Sequence, residues 1–200
     1  MRNLGIQIVQ EGQPCDYLAA PAVVRTTKFL TTMARGPSVI NAQYIDDVLE
    51  AGELLDTSQY PLKDAKGGID IKKCVKRARA NKGRLLWNVP IYCTEDVKNG
   101  VDCYKAIATA NGAIFKVYRA RSGTTIKPTT AEEDGGAAPE PVYLLTGNSP
   151  SERALWPKFE KMARDGNMEP RVVMTDWLLE AALTQEAVYQ DRYSARRFRS

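Results

Sequence analysis

Arg25-Thr26-Thr27-Lys28-Phe29-Leu30 concentrates the groups best able to hold an anion: two threonine hydroxyls, an ammonium and a guanidinium within four positions. Upstream, the apolar run from Tyr17 to Val24 reads as a strand that breaks at Pro21 and feeds a loop. From Thr26 onward the pattern reads as a helix start. Such an end presents unpaired backbone N–H groups and the positive pole of the helix dipole, so a phosphate placed there gains both hydrogen bonds and charge. The same residues also make an ordinary helix beginning, with Thr26 as N-cap and Lys28 on an exposed turn.

Other chemistries find little support. The 200 residues contain no histidine, which removes Ser-His-Asp and Cys-His catalysis and the commonest metal ligand. Cys15, Cys74, Cys93 and Cys103 are scattered, with no C-x-x-C pair, so they read as reduced thiols rather than a zinc site or a disulfide framework. Neither a P-loop nor a dinucleotide fingerprint occurs. The chain is therefore expected to be a binding protein, not an enzyme, with no cofactor and no metal. A net charge of +4 is mild, so any acidic partner must be met by a local patch. No stretch reaches the roughly 18 apolar residues of a membrane helix, and Met1 to Gly5 lacks a signal-peptide core, which predicts an intracellular chain without membrane association.

The length allows two modules of about 100 residues each, and a hydrophobic share of 44% is enough for a real core. Gly5 to Val9 is rich in β-branched residues and predicts a strand, followed by strands at 17–20 and 38–40 and by helices at 26–34 and 44–51. Past Gly67-Gly68 a basic helix is expected, with Lys72, Lys73, Lys76, Arg77, Arg79, Lys82 and Arg84 around the apolar Ile71, Val75 and Ala78. Those charges read either as a solvated face over a stripe packed between two modules or as a contact surface for DNA phosphates. A second unit follows: strands at 91–93, 114–118, 142–146 and 171–174, and helices at 102–110, 151–163 and from 175. Residues 122–141 are expected to form a flexible surface loop, and the basic tail 192–200 to be frayed.

Arg-Thr-x-Lys-Phe after a short strand, followed by Met33 to Ile40, resembles the second helix of a BRCT repeat, the breast-cancer C-terminal module. The helix-Asn111-Gly112-Ala113-strand passage of the second unit resembles the same family. Tyr60 to Asp64, Ala78 to Leu86 and Ile91 to Thr94 look like the C-terminal BRCT pair of fungal multi-BRCT genome-integrity scaffolds, and the likeness runs from about Gly5 to Tyr189. The expected fold class is accordingly α/β, two BRCT-type modules each with a small parallel sheet flanked by helices. The boundaries are 1–60 for the first repeat, 61–84 for the linker and 85–195 for the second repeat. The first repeat lacks an initial strand, a Ser/Thr-Gly loop and a first helix, and is expected to be cut short at its start or degenerate, the former favoured because a sheet without its central strand leaves apolar edges.

The resemblance also implies roles. Thr26 and Lys28 would hold phosphate and Arg25 would contact peptide backbone or a carboxylate, with Leu30, Lys98, Asn99 and Leu179 lining the groove between repeats. Thr146-Gly147-Asn148-Ser149 leads to the second repeat's matching helix without Thr-x-Lys, so phosphate is expected on the first repeat alone. The ligand class would be a phosphoserine protein, the damage-phosphorylated tail of a core histone, alongside repair-complex proteins and a nuclear location. A structural BRCT pair that binds unmodified protein, or DNA more weakly, is the alternative. Trp177 reads as an interface anchor or a core plug, and the resemblance implies core.

Overall fold

The computed structural model describes residues 2–119 and 132–198. Its first unit comprises β1 (Tyr17–Ala20), α1 (Thr27–Met33), β2 (Ser38–Asn41) and α2 (Gln43–Ala51). β1 and β2 pair in parallel, in register from Tyr17↔Ser38 to Ala20↔Asn41. Thr26 begins α1 from an extended conformation, its hydroxyl oxygen accepting the Phe29 N–H. After α1 the chain reverses at Gly36, where φ is +70° and a Cβ would lie 2.7 Å from Arg79 Cγ. Glycine is needed there twice, for the left-handed backbone and for the close approach. Arg79 in turn donates from Nε to the Gly36 carbonyl and from its guanidinium to Ser38 Oγ, both at 2.9 Å.

The expected strand over Gly5 to Val9 does not form. Residues 6–10 are irregular and Ile8 is 77% exposed. β-branched composition favours a pleated, half-buried surface, but a strand also requires a neighbouring edge. The described sheet of this unit contains β1 and β2, and neither pairs with that segment.

α3 (Ile71–Asn81) is capped by Asp70, whose carboxylate accepts the Lys73 N–H at 3.1 Å. It buries Ile71, Cys74, Val75 and Ala78 and turns its lysines outward. The second unit follows as β3 (Pro90–Thr94), α4 (Val101–Ala110), β4 (Ile114–Tyr118), β5 (Glu140–Thr146), α5 (Pro150–Arg153), α6 (Trp156–Asp165), β6 (Met168–Met174) and α7 (Asp176–Thr184). The strands lie in the order β4-β3-β5-β6, all parallel. β5 is buried from Val142 to Thr146, as expected of a parallel strand covered on both faces.

Three sequence expectations change here. The helix expected over 151–163 is split into α5 and α6, because Pro157 has no N–H to donate and its ring would clash with the carbonyl of Arg153 in a continuous helix. The tail is docked at its start: Ser194 bridges Val173 and Ala195 is fully buried, while Arg196, Arg197 and Phe198 form an exposed 3-10 turn. Of the loop expected at 122–141, residues 122–131 lie outside the described residues, while Glu132–Gly136 form turns and Glu140 and Pro141 already belong to β5.

One apolar cluster runs through both units. Phe29, Leu30 and Met33 of α1 join Tyr104, Ile107 and Ala108 of α4 and Leu178 and Ala182 of α7. Trp177 belongs to the same cluster, 1% exposed, stacked on Tyr143 at 4.2 Å with Nε1 donating to the Val188 carbonyl. It is a core residue. A second cluster on the other face of the larger sheet holds Tyr92, Tyr118, Trp156 and Phe159, and a small third one holds Ile40, Tyr44 and Val48.

Because Leu30 is completely buried between α1 and the second unit, Leu30→Ala should cost about 2–5 kcal/mol, the range for a core leucine that leaves a cavity. Lys28→Met, two residues away on the exposed side, should change stability by less than about 0.5 kcal/mol. Urea unfolding of both variants measures the contrast, and equal losses would disprove this orientation of α1.

Candidate functional site

The N-terminus of α1 opens where α1, α4 and α7 meet. Thr27 faces inward and donates its hydroxyl to Cys103 Sγ at 2.9 Å, tying the first turn of α1 to the first turn of α4. Thr26 and Lys28, one residue to either side, are exposed. The Thr26 oxygen is engaged as the cap of α1, and its hydroxyl proton remains directed by whatever acceptor approaches. No ion pair to Lys28 occurs among the described residues. An ammonium, a hydroxyl and a helix N-terminus thus share one solvent-facing turn, a donor set suited to a phosphate.

Arg25 reaches across to α7, where its guanidinium pairs with the Glu180 carboxylate. Both side chains remain partly exposed, at 44% and 22%, and such a pair contributes at most about 1 kcal/mol. A ligand carboxylate that offers a bidentate contact can therefore exchange with Glu180. Tyr193 lies beside this pair, its phenol pushed up mainly by burial and further by the Glu180 charge. A cavity of about 100 Å³ adjoins it, lined by Trp177, Glu180, Thr184, Arg192 and Tyr193 among others.

Of the remaining expected groove residues, Lys98 and Asn99 sit on the exposed loop ahead of α4. Asn99 has φ +72°, and the Lys98 carbonyl accepts the Tyr104 hydroxyl at 2.8 Å. Leu179 is half-buried on α7 against the common core. Leu30 is a correction: it is 0% exposed and offers a peptide no surface, because its place one turn after Thr26 lies on the inner face of α1. Glu180 and Tyr193 are site neighbours that the sequence did not single out. They lie more than 150 positions from Arg25, and no local pattern marks them.

The second unit treats the equivalent position differently. Ser149 caps α5 as Thr26 caps α1, but Glu152 folds back into the space beside it in a reciprocal capping box. The Glu152 carboxylate is 2% exposed and accepts from Thr94 Oγ1 at 2.7 Å, Gly147 N–H at 2.7 Å, Ser149 Oγ at 2.7 Å and Ser149 N–H at 3.2 Å. Burial pushes its pKa up, yet these donors outweigh burial and hold it below the ordinary glutamate value. This donor cluster already contains an anion of its own. Gly147 is matched to it, since a Cβ there would stand 2.5 Å from the Glu152 carboxylate.

The cysteines are reduced. Burial pushes Cys93 up to about 12, with Glu152 adding to the effect, and it also raises Cys74 and Cys15, so none of these three is a thiolate at neutral pH. Among the described residues no cluster of cysteine, aspartate and glutamate is arranged to hold a metal ion, and no helix is long and apolar enough to cross a membrane.

Residues 1–62 match the family described as the Regulator of Ty1 transposition protein 107 BRCT domain. Over 96% of its length the chain is 29% identical to BRCT-containing protein 1 of Schizosaccharomyces pombe, and it spans 22% of that protein. The crystal structure of S. pombe Brc1 BRCT5-BRCT6 domains superimposes with a TM-score of 0.67 at 25% identity, covering 92% of this chain and 85% of the other. A structure of Rtt107p in complex with a phosphorylated histone gives a TM-score of 0.68 at 19% identity, covering 96% and 82%, a likeness of fold.

The Glu152 site predicts a pH dependence. A carboxyl whose folded pKa lies below its unfolded value, ordinarily about 4.3, stabilises the fold above that value and loses this contribution as pH falls through the folded pKa. Glu152→Gln should therefore cost about 1–3 kcal/mol at pH 7, where it replaces an acceptor among four donors with an amide. The difference from the parent should shrink below about pH 4. Urea unfolding at pH 7 and pH 3.5 measures this, and a pH-independent difference would contradict it.

Proposed function

We propose that this tandem BRCT pair reads a phosphorylated serine on a protein partner and serves as a recognition module of a DNA-damage-response scaffold. The observation that carries the reading is Lys28, an exposed ammonium with no ion pair among the described residues, on the same helical turn as the capping Thr26. Lys28 supplies charge, Thr26 a hydroxyl, and the first turn of α1 its unpaired N–H groups. Arg25 exchanges Glu180 for a carboxylate of the peptide, while Lys98, Asn99 and Leu179 flank the path between the repeats.

The second repeat takes no phosphate, since Glu152 fills the corresponding donors. Its work is to hold α4 and α7 against α1. The two repeats are assigned to residues 1–60 and 85–195, with 61–84 as the linker. The partner is the phosphorylated tail of a core histone, in keeping with the fold shared with Rtt107p in its complex with a phosphorylated histone. The chain works in the nucleus beside repair-complex proteins, and its role is binding without catalysis.

Paired serine and phosphoserine peptides ending in a free carboxylate, followed by fluorescence anisotropy, test the reading. The phosphoserine peptide should bind at least about tenfold more tightly, since a charge-assisted contact contributes on the order of 1.5–3 kcal/mol. Lys28→Met should remove most of that preference and leave the weak binding of the serine peptide unchanged. Arg25→Lys should weaken the carboxylate peptide more than its amide. If Lys28→Met stays folded with full phosphopeptide affinity, the phosphate does not bind here, and a BRCT pair for unmodified protein takes the place of this reading.

A further inference from the structure

A groove of about 730 Å³ lies on the linker side of the first unit, away from the start of α1, between the edge of β2, the segment 57–64 and α3. Its volume is within the range of ligand-binding clefts. The edge it borders is largely unpaired: β2 has β1 on one side, and on the other the isolated bridge Ile40↔Pro61 with Asn41 N–H donating to the Tyr60 carbonyl.

The lining has two characters. Tyr17, 50% exposed, with the partly exposed Val39 and Ile69 provides apolar surface. Lys63, Lys72 and Lys76 stand exposed around it without an ion pair among the described residues. Both carboxylates of the groove are engaged with backbone. Asp64 accepts the N–H groups of Lys66, Gly68 and Ile69, and Asp70 caps α3. The local excess of positive charge therefore faces solvent beside an apolar floor.

We propose that this groove is a second docking site, independent of the phosphate site, for an extended acidic peptide. Apolar side chains of the peptide cover Tyr17, Val39 and Ile69, and its carboxylates pair with Lys63, Lys72 and Lys76. A nucleic acid duplex would satisfy the lysines but leave the apolar floor in water, whereas an extended peptide beside a strand edge meets both. Charge complementarity speeds and orients such an encounter, and the apolar contacts hold it.

The test uses the whole chain and a short fluorescein-labelled peptide in which aspartate alternates with leucine and phenylalanine, read by anisotropy. The comparison ligands are the same peptide with serine for its apolar residues, the same peptide with lysine for aspartate, and a short DNA duplex. The acidic apolar peptide should bind best. Lys72→Glu with Lys76→Glu should weaken it about tenfold or more, and Tyr17→Ser severalfold. Lys28→Met should leave it unchanged, which separates this site from the phosphate site. Lys72→Gln with Lys76→Gln serves if the charge reversal disturbs folding, with a smaller loss in the same direction. Equal binding of the serine-substituted peptide, tighter binding of the duplex, no measurable binding, or indifference to both double substitutions of Lys72 and Lys76 would each overturn the proposal.

Discussion

Leu30 and Met33 are fully buried where α1 meets α4 and α7, and the arrangement of the candidate site depends on that packing. Each such side chain contributes roughly 1.5–3 kcal/mol by leaving water, more than the Arg25–Glu180 pair at the surface supplies. The ordering of the binding groups is a consequence. With the inner face of α1 fixed, Thr27 must lie against Cys103, and Thr26 and Lys28 must face solvent. Apolar burial thus sets the geometry, and the polar groups inherit it.

The two units place different side chains beside similarly capped helix starts. Thr26 and Ser149 both cap their helices. In the first unit Lys28, two residues after the cap, turns to solvent. In the second, Glu152 turns back into four donors and satisfies them internally. A desolvated carboxylate is costly when unpaired, but with a full set of donors it is held below its ordinary pKa.

The basic linker helix has the packed inner stripe and the solvated outer face that the first of its sequence readings expects. Its inner stripe of Ile71, Cys74, Val75 and Ala78 is buried, with neighbours on β2 and α7. Arg79 is committed to Gly36 and Ser38, and Arg77 to Glu186 and the Thr184 carbonyl. The arginines thus serve the structure, while Lys72 and Lys76 remain at the surface. Guanidinium forks can reach two acceptors in fixed geometry, whereas lysine carries a mobile point charge better kept in water.

Local pattern was enough for the elements whose signals are local. Thr26 before an apolar stripe, Gly52 after one and Ile91 to Cys93 as an apolar run mark helix and strand ends whatever lies around them. The placement of Arg25, Thr26 and Lys28 was legible for the same reason, as close neighbours at a helix start. Pairing and burial were not. Gly5 to Val9 has strand composition but no adjacent edge to join, and Leu30 belongs to the core because α4 and α7 cover it. Glu180 beside Arg25, Tyr193 beside both, and Glu152 inside its own donor cluster are contacts between distant segments. Such contacts are decided by how whole helices pack, since the free energy of burial depends on which surfaces meet and not on the order of residues along the chain.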